Sequence, residues 1–153
     1  MEQKKRVLVA MSGGVDSSAA AWLLKEQGYE CIGVTMKLLG GGGAEPDQGR
    51  PCCTLDDAQD AGQAARRMGM PHYVFNFSDD FEEKVIRPFV DAYERGETPN
   101  PCIDCNRFLK FDRLHRRARE LGCGYIATGH YARILEDGAG GFRLAKAAEL
   151  SRD

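Results

Sequence analysis

No stretch of this sequence approaches the roughly 20 consecutive apolar residues that a helix needs to cross a bilayer. The basic start Lys4-Lys5-Arg6 is followed by only five apolar residues before Ser12-Gly13-Gly14 breaks the run, too short for the core of a signal peptide. The chain is therefore expected in the cytoplasm, with no membrane partner. A surplus of either charge is also missing. With a formal net charge of -2 there is no global attraction for nucleic acid, so any RNA contact must come from local basic patches. Six cysteines in 153 residues are too few for a disulfide scaffold; in a reducing compartment the clustered ones point to metal binding or catalysis. No internal repeat is visible. What remains is ordinary: 42% hydrophobic and 29% charged residues describe a globular chain of one domain, long enough to bury about 70% of its unfolded surface.

The hydrophobic pattern alternates between two periods. Val7-Leu8-Val9-Ala10-Met11 is a continuous apolar run, as in a strand buried on both faces of a parallel sheet. Val15, Ala19, Trp22 and Leu23 then recur at helical spacing up to Gly28, and residues 31–36 read as a second strand. Residues 40–51, with four consecutive glycines, form a loop. Thr54 is a candidate N-cap for a helix with Asp56 and Asp57 in its first turn, ended by Gly69 and Pro71. Residues 73–77 are a third strand, and 78–96 a helical stretch that Pro88 kinks or divides. Phe108, Phe111, Leu114 and Ala118 mark a further helix, residues 125–128 a fourth strand, and 132–135 with 142–145 a hairpin around the Asp137-Gly138-Ala139-Gly140-Gly141 turn. Strands alternating with helices predict an α/β fold, a doubly wound parallel sheet with a C-terminal hairpin. The end at Ser151-Arg152-Asp153 lacks a terminating pattern and reads as a fragment.

The sharpest signal is Ser12-Gly13-Gly14-Val15-Asp16-Ser17-Ser18, between a buried strand and a helix. A helix N-terminus at the carboxyl end of a parallel strand offers NH groups and partial positive charge to an anion. The glycines permit close backbone approach and the serines add hydroxyls. Neither the G-x-x-x-x-G-K-[ST] lysine nor the G-x-G-x-x-G fingerprint is present. The loop instead resembles the PP-loop of enzymes that split ATP into AMP and pyrophosphate. Asp16, an acid inside an anion site, is suited to holding Mg²⁺ against the phosphates.

Cys102-Ile103-Asp104-Cys105 follows the rigid Thr98-Pro99-Asn100-Pro101 loop and precedes a helix whose N-terminus favours a thiolate. The pair also fits half of a zinc or iron-sulfur site, so Cys102 and Cys105 remain possible cluster ligands. Taken with Ala10-Met11-Ser12-Gly13-Gly14-Val15-Asp16-Ser17, Cys105-Asn106 and Ala127-Thr128-Gly129-His130, the loop is similar to that of the tRNA-specific 2-thiouridylases. The resemblance covers essentially the whole chain. It implies ATP contacts from Ala10, Met11, Ser12, Gly13, Gly14, Val15, Asp16, Ser17, Met36 and Gly129, contacts to the target base from Asn100, Pro101 and Cys102, and Cys105 as nucleophile. Some members carry aspartate where this chain has Cys102.

The same resemblance implies a tRNA partner, a persulfide sulfur-donor protein, and a central domain and β-barrel beyond this chain, where the persulfide cysteine lies; Arg152-Asp153 matches the start of a tRNA-contact motif. Residues 1–153 alone are then expected to bind ATP without turning over. Lys110, Arg113 and Arg117 fall on one face of a basic helix and are candidate tRNA contacts. Cys52-Cys53 is read as loop packing, and His130 is left outside the catalytic set. Two other readings stay open: a different PP-loop ligase or synthetase, and a metal or iron-sulfur module.

Overall fold

Three successive apolar side chains cannot all point to one face of a strand, so Val7, Leu8 and Val9 require a sheet covered on both sides. A computed structural model describes residues 5–39 and 55–148. β1 (Arg6–Ala10) lies inside a four-stranded parallel sheet with β2 (Glu30–Lys37), β3 (His72–Asn76) and β4 (Tyr125–Ala127), in the order β3-β2-β1-β4. Val7, Leu8 and Val9 are at most 2% exposed.

Each face has its own core. Val7, Val9 and Cys31 pack with Ala21 of α1 (Val15–Glu26) and Ala61 and Ala65 of α2 (Leu55–Arg67). Leu8, Ile32, Val34 and Met36 pack on the opposite side against Phe77, Val85, Leu109, Leu114 and Ala118. The predicted doubly wound architecture is therefore present. The chain lays β1, β2 and β3 in one direction and then crosses β1 to add β4, which opens a crevice between the carboxyl ends of β1 and β4.

Several local expectations shift. In α1 the inward positions are Ser17 and Ala21, whereas Val15, Trp22 and Leu23 are 83%, 52% and 51% exposed. Small residues face the sheet because the helix begins directly against the phosphate loop. The stretch after β3 is helical as predicted, from α3 (Ser78–Phe81) through a π-helical turn, Glu82–Ile86, to α4 (Arg87–Glu94). Pro88 stands in the first turn of α4, where its missing NH is tolerated, and the wider π turn precedes it.

The helix after the prolines differs more. It starts at Pro101 as α5 (Pro101–Asp104), runs as π-helix over Cys105–Arg113 and ends as α6 (Leu114–Glu120). Leu109 and Leu114, five apart, are fully buried, while Phe111 is 51% exposed. Of the residues marked by the 3.6-residue period, Leu114 and Ala118 are buried and Phe108 packs against the core, whereas Phe111 turns outward and Leu109 takes an inward place, because a π-helix bonds i to i+5.

The hairpin forms from β5 (Ala132–Glu136) and β6 (Phe142–Lys146). Asp137 closes it by accepting the Ala139 and Gly141 amides at 2.9 Å each. Thr54, Cys52, Cys53, Arg152 and Asp153 lie outside the described residues.

Candidate functional site

β1 ends by turning its chain over the sheet edge. The Met11 amide still bonds the Val34 carbonyl at 2.8 Å, and the Met11 carbonyl accepts the buried Thr35 hydroxyl at 2.8 Å. Thr35 has thereby used its proton, so it accepts from His72 Nε2–H at 2.9 Å. Burial, then the nearby Arg66, holds the His72 pKa below its usual value.

From Ser12 onward the loop is stitched to itself. The Ser12 amide donates to Ser17 Oγ at 3.1 Å, and the Ser17 and Ser18 hydroxyls donate to the Gly14 carbonyl at 3.2 and 3.0 Å. Gly14 is the N-cap of α1 and no side chain caps that end among the described residues, so the first-turn amides lack a side-chain cap. Gly13 has φ of +80°, and a Cβ there would lie 2.6 Å from the Asp57 carbonyl oxygen. Only glycine fits both demands.

Across the crevice, Asn100 caps α5, its side-chain oxygen accepting the Cys102 amide at 3.0 Å, with Pro101 next as an N1 residue. This start corrects the expectation that the Cys102-Ile103-Asp104-Cys105 segment precedes the helix, since the segment forms its first turn. Cys102 sits in the first turn and Cys105 a turn further in; Cys102 is exposed and Cys105 half-buried. The five-residue π register then sets Lys110 on the side of Cys105.

One cavity of about 430 Å³ joins the two halves. Its wall includes Ala10, Met11, Ser12, Asp16, Ser17, Met36 and Gly129 from the expected nucleotide set, and Cys102 and Cys105 from the thiol segment. Gly13, Gly14 and Val15 instead line a second, open depression beside Trp22, on the outer side of the loop. Asn100 and Pro101 stand behind the cysteines as cap and first helical residue.

The cavity also gathers Leu38, Asp57, Asn106, Lys110, Thr128 and His130. His130, set aside on sequence grounds, bridges Thr128 Oγ1 at 2.7 Å and Asn106 Oδ1 at 3.2 Å, and tilts against the Phe111 ring 5.6 Å away. Donation from Nε2–H to Asn106 leaves Nδ1 to accept from Thr128, a neutral imidazole. Burial and then Lys110 lower its pKa in the same sense. The adjacent Tyr131 donates its phenol to Asp16 Oδ1 at 2.5 Å. The Ala127-Thr128-Gly129-His130 and Cys105-Asn106 patterns marked this corner, but nothing local in the sequence placed Asp57 or Tyr131 in it.

The basic helix is less one-sided than its sequence. Lys110 lines the cavity, Arg113 pairs with Asp80 at 2.8 Å, and Arg117 pairs with Glu120 at 2.7 Å and lies over the Phe75 ring. Arg116 takes Asp112. Among the described residues no group of three or more His, Cys, Asp or Glu side chains gathers to hold a metal. Cys31 and Cys123 are buried, their thiol pKa values raised mainly by burial, so the described residues supply two thiols to the cavity, short of the four an iron-sulfur cluster takes from cysteines.

A parallel sheet with a lysine-free, serine-stitched glycine loop at its switch point defines the PP-loop fold. A family model described as the tRNA methyl transferase HUP domain matches residues 5–153, and the chain belongs to that family. It is 52% identical over 149 residues to the tRNA-specific 2-thiouridylase MnmA of Clostridium acetobutylicum, covering 97% of this chain and 42% of that protein. To the protein of the same name from Clostridioides difficile it is 51% identical over 146 residues, 95% of this chain and 40% of the relative. The chain thus spans about two fifths of the length of these curated relatives.

Among solved structures, NMN synthetase from Francisella tularensis aligns with a TM-score of 0.50 at 18% identity, covering 81% of this chain and 44% of that one. A predicted subunit of tRNA methyltransferase from Methanocaldococcus jannaschii aligns with a TM-score of 0.50 at 20% identity, covering 97% and 60%. At these identities the likeness is one of fold. No helix among the described residues is long and apolar enough to cross a membrane.

Proposed function

We propose that this chain is the ATP-binding part of an enzyme that replaces the C2 oxygen of uridine by sulfur at the tRNA wobble position. The observation that carries the proposal is the shared cavity, in which the phosphate loop and the Cys102 and Cys105 thiols face the same space. Uridine O2 is a poor leaving group. Its attack on the α-phosphorus expels pyrophosphate and leaves an adenylate, whose AMP departs readily when sulfur adds at C2. The phosphate-loop amides and hydroxyls stabilise the departing pyrophosphate by fixed electrostatics. Mg²⁺, held by Asp16, supplies neutralising charge there.

The terminal sulfur comes as a persulfide on a cysteine beyond residue 153, loaded by a donor protein. The Cys105 thiolate attacks the inner sulfur, forming a disulfide and releasing hydrosulfide, which attacks C2; a thiol reductant then reopens the disulfide. His130, Asn106 and Lys110 border the base end of the cavity and orient the acceptor. The relatives named 2-thiouridylase support this reading over the methyl transfer in the family's description, since methyl transfer has no use for two thiols beside an ATP loop. The same thiols argue against an amide-forming synthetase such as the fold neighbour NMN synthetase.

The test uses full-length enzyme with ATP, Mg²⁺, tRNA and a persulfide donor. AMP and pyrophosphate are the expected products; ADP and phosphate would refute α,β cleavage. Cys105→Ser should retain ATP and tRNA binding and lose sulfur transfer, because a serine hydroxyl stays protonated and cannot exchange with a persulfide. Cys102→Asp should keep measurable activity. Loss of a bound metal from both variants would make the pair a ligand set instead.

A further inference from the structure

Ile103 and Asp104 separate Cys102 from Cys105, and the backbone between the cysteines is drawn tight. Asn100 holds the Cys102 amide, and the Cys105 amide is shared between the carbonyls of Cys102 and Pro101. The bond to Cys102 closes a turn of the kind in which side chains i and i+3 eclipse one another. Cα atoms three apart on a helix lie about 5 Å from each other, given a rise of about 1.5 Å per residue on a radius of about 2.3 Å. A disulfide spans about 4.4–6.8 Å between Cα atoms, so rotation of the two side chains can bring these sulfurs together with little movement of the backbone.

Exposure divides the pair. Both thiols border the cavity that the phosphate loop enters, yet Cys102 is exposed while Cys105 is half-buried and packed against the sheet core. Cys31 and Cys123 are buried and take no part in that wall. An exposed thiol one turn before the nucleophile is placed to attack a disulfide that the nucleophile has formed. Tethered so closely, it acts at an effective concentration in about the millimolar range or above.

We propose that Cys102 is the resolving thiol of the sulfur-transfer cycle, closing a Cys102–Cys105 disulfide that releases the persulfide-carrying cysteine. The inference rests on the reading above, in which Cys105 displaces hydrosulfide from that cysteine and becomes disulfide-bonded to it. The Cys102 thiolate attacks Cys105 Sγ. The Cys102–Cys105 bond forms as the bond to the other cysteine breaks, and the electron pair leaves on that cysteine as a thiolate. This exchange needs no oxidant. The two electrons carried off by hydrosulfide are restored once per cycle, when a thiol reductant opens the Cys102–Cys105 bond at its exposed sulfur. The other cysteine is then ready for a new sulfur from the donor.

A single turnover of persulfide-loaded full-length enzyme with ATP, Mg²⁺ and tRNA, without added thiol, tests this by acid quench, alkylation and non-reducing peptide mapping. The parent should yield Cys102 linked to Cys105, with the persulfide-site cysteine alkylated. Cys102→Ser, a conservative change at an exposed position, should instead hold Cys105 linked to the cysteine beyond residue 153, raising that species about tenfold. A parent with Cys105 linked to that distant cysteine and Cys102 alkylated overturns the resolving role and leaves the Cys105 reading standing. Thiouridine formed with no disulfide at Cys105 in either protein sinks the reading and the proposal together. A second measurement avoids turnover: enzyme with its persulfide-site cysteine replaced by serine, equilibrated in a glutathione redox buffer, should form the Cys102–Cys105 bond. Glutathione adducts on both thiols with no link between them show that the pair cannot close, and overturn the proposal. So does a co-purifying metal that is lost from both Cys102→Ser and Cys105→Ser, which makes the two sulfurs ligands.

Discussion

Replacing Gly129 by alanine asks how tightly the end of β4 is fitted to the phosphate loop. The added Cβ would meet the Ser17 nitrogen at 2.9 Å and the Ser17 Cα at 3.1 Å, about half an ångström inside ordinary contact, which begins at 3.4 Å. The obstructing atoms are backbone of the first turn of α1, so no side-chain rotation relieves the clash. Either residues 128–131 or the helix start must move. Overpacking of this kind costs about 1–3 kcal/mol, which for a domain of this size corresponds to a fall in melting temperature of about 3–9 °C. Because displacement occurs at the nucleotide crevice, ATP affinity should also fall, by about tenfold for each 1.4 kcal/mol of misfit expressed on binding.

Gly124→Ala is the control, since a Cβ there has no neighbour within 4 Å and the position has no positive φ; it should be neutral or slightly stabilising. Thermal unfolding and calorimetric ATP titration of the two variants side by side decide the matter. Equal behaviour of Gly129→Ala and Gly124→Ala in both assays would refute the close approach.

The π register predicts that Leu109→Ala costs about 2–5 kcal/mol, whereas Phe111→Ala costs much less; the reverse order in denaturant unfolding would restore an ordinary helix with Phe111 inward. His72 and His130 both have lowered pKa values, so the unfolded chain binds more protons near its ordinary value of about 6.5. Stability is then full above that pH and declines as pH falls through the folded-state values. Melting temperature should drop from pH 7.5 to 5.5, and His72→Gln should lessen the drop; an unaltered slope in that variant removes His72 from the account. For the basic helix, exchanging Arg113 and Arg117 for glutamine in full-length enzyme should leave the salt slope of tRNA binding nearly unchanged, because both are engaged with acids, while Lys110→Gln should reduce it by about one phosphate contact. A slope flattened by the arginine pair would mean that those ion pairs open to RNA.

Much of this was legible because it is local. The run from Val7 to Met11, the glycines at 13 and 14 and the serines at 12, 17 and 18 carry strand, turn and helix start in consecutive residues, and the sheet order builds a crevice where they end. The proline-flanked cysteines announced a shaped segment for the same reason. The inward face of α1, and the exchange of Leu109 for Phe111 in the cysteine helix, were not legible, since both readings assumed that larger apolar residues point inward at a 3.6-residue period. Ser17 and Ala21 are inward because the helix abuts a loop, and Leu109 because the π-helix carries more residues per turn. The meeting of His130 with Asn106 and of Tyr131 with Asp16 depends on β4 being laid beside β1 after three other strands and helices, which no short pattern encodes.

Gly14 begins α1 without a capping side chain. An anion seated at that helix start is then the cap that the sequence omits, and its departure returns the first turn to an unfinished state. Ligand occupancy and propagation of the helix become one equilibrium, with stability of the first turn rising with the logarithm of ligand concentration. On the proposed ATP reading, amide exchange at residues 15–17 should slow as ATP concentration rises, so this short stretch of backbone would register occupancy of the loop.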